Sequence, residues 1–415
     1  MAENPETLDG DILPGLFRRE YTKMTAVLCR HFGLKHIETA EEIVSETFLK
    51  ATETWQTQGI PENPTAWLYI VARNKVKDHL KHLQVFEKQV YPALSLNSGH
   101  SEPDFDFDNE TMADSQLAMI FGVCNPANSA ESQISLALQI LCGFSVAEIA
   151  DAFLSKPETI KKRLLRARAN LRNDQFQIGP LLPADVYARR DVVLRTLYLL
   201  FNEGYFSKSG NFLIRKDLCA EAMRLTLMLT ENPLTNARQV EALLALMCYQ
   251  SSRFDARLND SGQTILFEDQ DQGLWDKTLI DRGNYYLVNA CSGNMVSKYH
   301  IEAGIAYWHT TPPGTEKWAH ILHLYNQLIV IEYSPATALN RTFAFAKVHG
   351  NESGLQEAEK LGLDNNCYYH SLLAYLYSPV SVEQAARHYR RAIELSTSPT
   401  EKRTLEREHT RLADV

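Results

Sequence analysis

The hydrophobic and polar positions of residues 12–90 follow a helical period. Apolar side chains recur at spacings of three and four residues, which predicts a first helix with apolar positions from Leu16 to Phe32 and further helices over about 39–55 and 65–86. The inward positions of the second helix are Ile43, Val44, Thr47, Phe48 and Ala51. Glycine and proline interrupt the pattern at 56–64, which predicts a loop between the second and third helices.

A second helical pattern covers residues 145–172 and contains two capping signals. Ser145 and Glu148 have the spacing of a capping box, in which each side chain accepts from the other residue's backbone N–H. Ser155 and Glu158 repeat that spacing. The pattern therefore predicts two short helices joined by a tight turn, each beginning just after its serine.

The second helix of this pair is strongly basic. It contains one anion, Glu158, and seven cations, which are Lys156, Lys161, Lys162, Arg163, Arg166, Arg168 and Arg172. Two short helices with a basic second member form a helix-turn-helix, which places the second helix in the major groove of DNA. A solvated helix of a bundle is the alternative. The capping signals and the short turn favour DNA binding.

The composition limits the possible functions. The chain has 415 residues, of which 45% are hydrophobic, and roughly two to three domains are expected. Its seven cysteines are irregularly spaced and form no C-x-x-C pair, so we expect reduced thiols. The first residues lack the features of a signal peptide, and no apolar run approaches the ~20 residues that span a bilayer, so we expect a cytoplasmic protein.

The net charge of −9 argues against a free-standing, non-specific DNA-binding protein. Such proteins derive their affinity from neutralising phosphates. The sequence therefore predicts a partner that holds this protein on DNA.

The third predicted helix combines aromatic and basic side chains. Trp67 and Tyr69 could stack on unpaired bases, an interaction that contributes about 1–3 kcal/mol per base. Arg73, Lys77 and Lys81 recur at four-residue spacing and could follow a phosphate backbone. Taken alone, Trp67 is more typical of a core residue.

An acidic stretch at 98–114 separates the two basic regions. It has six anions and no cation, and the anions are Glu102, Asp104, Asp106, Asp108, Glu110 and Asp114. A solvated linker is the simplest interpretation.

The chain beyond residue 183 is helical in pattern. Its tail has Ala385, Tyr389 and Ala392 at the spacing of the second helix of a tetratricopeptide repeat, whose small residues let paired helices approach. Such an α-solenoid is a binding surface more often than an enzyme. Three carboxylates within 268–271 could bind a cation, but the calcium-loop pattern is incomplete, so a solvated or internally paired cluster is favoured.

Several segments together resemble sigma factors of the extracytoplasmic-function (ECF) class. Residues 40–51 (AEEIVSETFLKA) are similar to region 2.2. Residues 63–68 (NPTAWL), with 72–74 (ARN) and Asp78, are similar to regions 2.3 and 2.4, and residues 134–172 are similar to region 4. The combination is specific, although no single piece is.

The resemblance implies an all-α fold and a domain plan. It comprises a region 2 domain over 12–90, an acidic linker over 91–114, a region 4 helix-turn-helix over 115–173 and a tetratricopeptide-like helical domain over 184–415. The likeness to the ECF subgroup with such a C-terminal domain is carried by 199–205 (LLFNEGY), 217–222 (DLCAEA), 243–247 (LLALM), 266–271 (LFEDQD) and 339–341 (LNR).

The resemblance also implies partners and contact residues. The partners are core RNA polymerase, through its β′ and β subunits, promoter DNA and, as a further candidate, a small YCII-like protein. The residues implied to bind polymerase are Glu42, Ile43, Glu46 and Phe48. Those implied to engage the −10 element are Gln58, Gly59, Ile60, Glu62, Asn63, Trp67, Arg73, Asn74 and Lys77. Those implied to read the −35 element are Glu158, Thr159, Lys161, Lys162, Arg163, Leu165 and Arg166.

Two function classes other than a sigma factor fit the sequence less well. A helix-turn-helix regulator with a tetratricopeptide sensor, which does not join polymerase, explains residues 130–415 but leaves 40–82 unexplained. For an enzyme, the sequence offers no G-x-G-x-x-G, P-loop, nucleophile elbow or H-E-x-x-H. We therefore expect a non-enzymatic, bacterial transcription initiation factor without a cofactor or metal, regulated by its C-terminal domain.

Overall fold

The fold is all-α, as the hydrophobic pattern predicted. The computed structural model describes residues 12–90, 108–153, 155–174, 176–206, 214–257, 259, 265–312, 314 and 316–412. Within these ranges there is no β-strand. The helices are α1 (Ile12–Phe32), α2 (Ile37–Gln58), α3 (Pro64–Val90), α4 (Asn109–Val123), α5 (Ala130–Leu136), α6 (Val146–Ala152), α7 (Pro157–Arg172), α8 (Pro183–Tyr205), α9 (Lys216–Glu231), α10 (Arg238–Ser251), α11 (Lys277–Ala290), α12 (Lys298–Thr310), α13 (Lys317–Ile331), α14 (Pro335–His349), α15 (Asn351–Glu359), α16 (Cys367–Tyr377), α17 (Val382–Leu395) and α18 (Pro399–Arg411).

The helices form two compact units, Met1–Leu199 and Leu200–Val415. We call them the N-terminal unit and the C-terminal unit, and their boundary falls within α8. No described helix is long and apolar enough to cross a membrane. All seven cysteines are free thiols, in agreement with the expectation from their spacing.

Helices α1 to α3 enclose an apolar core. α2 buries the five positions that the pattern predicted to face inward. It ends because Gly59 has a φ of 79°, a left-handed backbone conformation that other residues rarely adopt. The Gly59 N–H donates to Trp55 O at 3.0 Å. α3 then begins at Pro64, and the Oδ1 atom of Asn63 accepts from the Ala66 N–H at 3.0 Å. The loop between the helices is therefore shorter than predicted and comprises residues 59–63.

The predicted helix pair near residue 150 is present as α6 and α7. The first capping box forms, because Ser145 Oγ accepts from the Glu148 N–H at 3.2 Å and Glu148 Oε2 accepts from the Ser145 N–H at 2.8 Å. The apolar positions of α7, Ile160, Leu164 and Leu171, are buried as expected.

The second predicted capping box is wrong. The N-cap of α7 is Lys156, and Pro157 is the first helical residue, so Glu158 lies one position too early to close a box with Ser155. The Glu158 carboxylate instead accepts from Lys161 Nζ at 2.7 Å.

The acidic stretch before α4 is partly helical. Residues 91–107 of the predicted linker lie outside the described residues. α4 begins at Asn109, so residues 109–114 belong to a helix and not to a linker. Asp108 is its N-cap and accepts from the Thr111 N–H at 2.7 Å. Acidic residues at this position stabilise the positive end of the helix dipole.

The regions predicted as 12–90 and 115–173 pack on each other within the N-terminal unit. α1 lies against both α2 and α4. α4 approaches the chain before α2 at Gly122, where a Cβ atom would lie 2.9 Å from Leu34 Cδ1. The absence of a side chain at this position permits the close contact.

The N-terminal unit continues beyond α7. Arg189 donates hydrogen bonds to both carboxylate oxygens of Asp174, at 2.9 and 2.8 Å. Thr196 Oγ1 donates to Gln133 Oε1 at 3.0 Å. The first half of α8 therefore belongs structurally with α4 to α7, whereas the domain boundaries from the sequence stay a prediction.

The tail of the C-terminal unit contains the closely packed helix pair that the small-residue spacing predicted. Ala385, Tyr389 and Ala392 of α17 are buried. Tyr389 and Ala392 pack in one cluster with Ala374 of α16. The packing agrees with the spacing, while the assignment to tetratricopeptide repeats stays a prediction.

The acidic segment 268–271 is paired internally, which confirms the interpretation favoured by its sequence. Glu268 forms an ion pair with Lys347 on α14. Asp269 pairs with Arg411 on α18 at 3.1 Å. Asp271 accepts from the Gly273 N–H at 2.8 Å. The segment is thereby tied to two later helices.

Candidate nucleic-acid and polymerase interfaces

The outward face of α7 carries most of the side chains predicted to read the −35 element. The exposed residues are Glu158, Thr159, Lys161, Lys162, Leu165 and Arg166. Ile160 and Leu164 hold the opposite face in the core. The helical period alone therefore separates the predicted contact residues from the core.

The exposed cations of α7 differ in their pairing. Lys161 is neutralised locally by Glu158 in an i,i+3 pair at 2.7 Å. Lys162 and Arg166 form no ion pair with a described residue. They lie four positions apart, so both project from one face of the helix. These two side chains are the positive charges best placed to contact a phosphate or a base edge.

The Arg163 side chain packs against an aromatic ring. Its guanidinium lies 5.3 Å from the ring centroid of Phe153 in the turn between α6 and α7. Its Nη1 atom is buried and has no hydrogen-bond partner among the described residues. Of the seven predicted readers, Arg163 is therefore the least accessible.

Two cations near the end of α7 bind the N-terminal turns of α2. Arg168 is buried and donates to both oxygens of Glu41, at 2.7 and 2.8 Å, and to Gln139 Oε1 at 2.8 Å. Arg172 pairs with Glu38 at 2.6 Å. Burial by itself lowers the pKa of Arg168, but the hydrogen bonds and charge of Glu41 raise it overall. The cations of α7 therefore fall into two groups, one that faces solvent and one that binds α2.

The loop predicted to engage the −10 element lies at the opposite end of α2. Gln58, Gly59, Glu62 and Asn63 are exposed, and Ile60 is half-buried. The side chain of Asn63 is already engaged as the cap of α3. The loop is therefore accessible, with one of its polar groups occupied.

The aromatic residues of α3 are more internal than a stacking platform requires. Trp67 is half-buried and packs edge-on against Trp55, with ring centroids 5.4 Å apart. Tyr69 donates to the buried carboxylate of Glu20 at 2.5 Å. Burial raises the Tyr69 pKa, and the bond to Glu20 raises it further. Tyr69 therefore supports the core, and Trp67 presents only part of its ring.

The polar residues predicted on α3 lie beside this aromatic pair. Asn74 and Lys77 are exposed, and Arg73 is half-buried. Lys75, which the prediction did not include, binds Glu46 of α2 at 2.7 Å. The contact joins the basic face of α3 to the acidic face of α2.

The four residues predicted to bind polymerase divide equally between surface and core. Glu42 and Glu46 are exposed on α2. Ile43 and Phe48 are each only 4% exposed, and Phe48 packs on Phe17 with ring centroids 4.9 Å apart. The two apolar residues therefore support the acidic face from beneath and do not lie on it.

Leu49 is the apolar surface residue that the prediction missed. Its side chain is 59% exposed. It lies seven positions after Glu42 and three after Glu46, so the three share one face of α2. The helical pattern left Leu49 out of the inward positions of this helix, but the resemblance did not include it among the residues implied to bind polymerase.

Two families match parts of the chain. Sigma-70 region 2 matches residues 16–85. A family of unknown function (DUF6596) matches residues 189–291. The chain therefore carries a sigma-70 region 2 domain, formed by α1 to α3. All the predicted polymerase and −10 residues lie within it.

Two curated proteins are similar to the chain. The uncharacterized protein R00370 of Rhizobium meliloti (strain 1021) is 34% identical over 383 residues, covering 90% of this chain and 89% of that protein. The chain belongs to the family of this protein. The ECF RNA polymerase sigma factor BldN of Streptomyces coelicolor is 33% identical over 144 residues, covering 33% of this chain and 52% of BldN. No solved structure gives a significant match.

The sigma-70 region 2 domain and the likeness to BldN support a sigma-factor role. Sigma factors are transcription factors and not enzymes, which agrees with the expected function class. The comparisons do not bear on the tetratricopeptide-like subgroup or on the YCII-like partner, and both stay predictions.

Proposed function

We propose that this protein is an ECF-type sigma factor, which binds core RNA polymerase and directs initiation at specific promoters. The sigma-70 region 2 domain supplies the polymerase surface and the −10 contacts. α7 supplies the −35 contacts. The C-terminal unit regulates initiation.

The acidic face of α2 is the proposed docking surface for polymerase. Glu42 and Glu46 present negative charge, and Leu49 adds an exposed apolar side chain on the same face. A surface of this kind fits a basic and apolar partner, because opposite charges steer association while apolar burial stabilises the complex. Lys75 must share or release Glu46 when the partner binds.

The −10 and −35 contacts use different chemistry. The accessible loop at 59–63 suits capture of an unstacked base, which selects sequence because unstacking costs a few kcal/mol that only a fitting base offsets. Lys162 and Arg166 suit duplex DNA, since both reach outward from a helix of the size that the major groove admits. Arg73 and Lys77 are proposed to follow the phosphates of the melted strand.

The observation that carries the proposal is the sigma-70 region 2 domain, which matches residues 16–85. The test is transcription in vitro with core polymerase and the full-length protein. We expect the Lys162→Ala, Arg166→Ala double variant to lose initiation at −35-dependent promoters and to retain polymerase binding. We expect Leu49→Asp to lose both polymerase binding and initiation, because the substitution adds a charge to the apolar part of the docking face.

Lys161→Ala is the matched control for the double variant. It removes an exposed cation from the same helix, but one that Glu158 already neutralises. We expect a smaller loss of initiation than for either Lys162→Ala or Arg166→Ala. Unchanged −35 dependence in the double variant would overturn the role of α7. Failure of the wild type to initiate at any promoter of its own genome would overturn the proposed sigma-factor function.

A helix-turn-helix regulator that does not join polymerase is the second candidate. It accounts for α6 and α7 but gives no use to the acidic face of α2. Co-purification distinguishes the two functions. Retention of core polymerase by the wild type, and its loss in Leu49→Asp, would exclude the second candidate. Absence of core polymerase from the purified wild type would favour the second candidate.

A further inference from the structure

A group of cations lies inside the C-terminal unit and has no carboxylate partner among the described residues. It consists of Arg253, Arg257, Lys317 and the neighbouring His309, which we call the cationic cluster. Lys317 is buried, and the other three are partly buried. Among the described residues, none of the three cations forms an ion pair. Buried cations are ordinarily paired with an anion, because removing an ion from water costs several kcal/mol.

The ring of Phe267 lies beside three members of the cluster, which are Arg253, Lys317 and His309. The Arg253 guanidinium is 5.1 Å from its centroid and Lys317 Nζ is 5.9 Å from it. The His309 ring lies 4.7 Å away, edge to face. Cation–π contacts of this kind contribute about 0.5–2 kcal/mol each, which does not offset the cost of bringing several positive charges together.

The cations of the cluster act unfavourably on one another. The charged side chains that act on Lys317 and His309 are themselves cations: Arg253 acts on both, and Lys317 acts on His309. Burial, followed by these charges, lowers the pKa of both groups. Arg257 also has its pKa lowered by burial and, in part, by Arg253.

Several hydrogen-bonding groups of the cluster are unused. Arg253 donates one described hydrogen bond, from Nη2 to Tyr205 Oη at 2.9 Å, although a guanidinium carries five N–H donors. Arg253 is partly exposed, so its remaining donors are available to a ligand from solvent. His309 Nδ1, by contrast, is buried and has no partner among the described residues.

Lys317 has a structural role that leaves it one donor. Its Nζ donates to His309 O at 3.2 Å and to Thr311 O at 2.9 Å, at the C-terminal end of α12. An ammonium has three donors, and a cation at this position also stabilises the negative end of the helix dipole. The contact fixes the Lys317 charge beside Arg253 and His309.

We propose that the cationic cluster is a binding site for a small anion that carries a phosphate or carboxylate group. The Arg253 fork makes the primary contact, since its planar donors match the oxygens of both groups. Lys317 and Arg257 contribute charge, and His309 Nδ1 gains a partner. The ligand neutralises the like charges, so binding stabilises the C-terminal unit. The site is independent of the proposed sigma-factor function.

The test is isothermal titration calorimetry of the full-length protein with inorganic phosphate and, separately, with citrate. Sodium chloride keeps the ionic strength constant, so that general screening does not contribute. We expect saturable binding of at least one probe. Arg253→Gln should weaken its affinity at least tenfold. The control Lys277→Gln, which removes an exposed cation elsewhere in the C-terminal unit, should leave the affinity unchanged.

Three results would overturn the site. One is no saturable binding of either probe to the wild type. Another is an equal loss of affinity in Arg253→Gln and Lys277→Gln, which would indicate a diffuse charge effect. Should Arg253→Gln fail to fold, Arg253→Lys is used in its place, because it preserves the charge over Phe267 and removes the fork. The third result is an affinity of Arg253→Lys equal to that of the wild type. The titration uses neither polymerase nor DNA, so it succeeds or fails separately from the transcription test.

Discussion

At the scale of single residues, the basic side chains of α7 have different roles, which depend on the residues beside them. Lys162 and Arg166 face solvent, while Arg168 is 9% exposed and bound by Glu41. The sequence predicted which residues of α7 are apolar and inward, because that follows from the helical period. It did not predict the partner of Arg168, because Glu41 lies 127 positions away in the chain. Pairings across such distances depend on the packing of whole helices.

His309 provides a prediction about pH at this scale. Burial, then the charges of Arg253 and Lys317, lower its pKa to about 3. The unfolded chain binds a proton near pH 6.5, the ordinary histidine value, whereas the folded chain does not. The stability present above about pH 6.5 is therefore lost progressively as the pH falls towards about 3.

We expect His309→Phe to reduce this loss. One proton corresponds to at most about 1.4 kcal/mol per pH unit in the free energy of unfolding. Urea denaturation at about pH 7 and about pH 5 measures the difference. His323→Gln is the control, because His323 is exposed. Equal pH dependence in the wild type and His309→Phe would refute the assignment.

At the scale of helices, the sequence predicted elements more reliably than their ends. α2, α3, α6 and α7 lie where the apolar period placed them. The second capping box failed because Pro157 fixes the first turn one residue later than the serine spacing indicated. Ile43 and Phe48 are buried, as the helical pattern predicted, so the residues that the resemblance implied for polymerase binding include two that lie beneath the surface.

The contact between α2 and α7 is the element-scale interaction with the largest expected effect. The Arg168 and Glu41 side chains are 11% and 16% exposed. Removing one partner of such a pair leaves a buried charge and costs about 3–5 kcal/mol. We expect Glu41→Leu and Arg168→Met each to destabilise the protein by amounts of this order, measured by urea denaturation. The double variant should recover much of the loss, because hydrophobic side chains replace both charges.

An additive double variant would contradict this interpretation, since it would show that the two side chains do not interact. The pair Lys216 and Asp255 is a suitable comparison in the C-terminal unit. Both side chains are mostly exposed, at 59% and 70%. Surface pairs of this kind contribute about 0–1 kcal/mol, so their removal should have little effect.

At the scale of the whole molecule, the limits of the compact units differ from the domain limits expected by resemblance. The expected boundary between residues 173 and 184 follows the end of a helix-turn-helix. The N-terminal unit instead extends to Leu199, because Asp174 and Gln133 find their partners on α8. Sequence resemblance locates a motif, whereas the extent of a folding unit depends on where its buried polar groups are satisfied.

A truncation test follows from this extent. A chain that ends at Asn173 lacks Arg189 and Thr196 and also exposes the core that Phe176 and Ile178 cover. We expect it to have a lower thermal midpoint than a chain that ends at Leu199, by several degrees or more, since 1 kcal/mol corresponds to roughly 2–4 °C at this size. Equal midpoints in differential scanning calorimetry would show that α8 does not stabilise the N-terminal unit.

The ion pair between Arg168 of α7 and Glu41 of α2 also limits the distance between the two proposed DNA-binding surfaces. The path between the two proposed DNA-binding surfaces runs from the 59–63 loop along α2 to Glu41, across the ion pair, and back along α7 to Lys162. Its length is at most about 50 Å, at 1.5 Å of rise per helical residue. Elements centred near −10 and −35 lie about 25 base pairs apart, or about 85 Å at 3.4 Å per base pair. Under the proposed function, this arrangement does not reach both promoter elements at once, so we expect α2 and α7 to separate first. If separation costs about 3 kcal/mol, fewer than about 1% of free molecules are open, and the apparent affinity for polymerase and promoter falls by about a hundredfold.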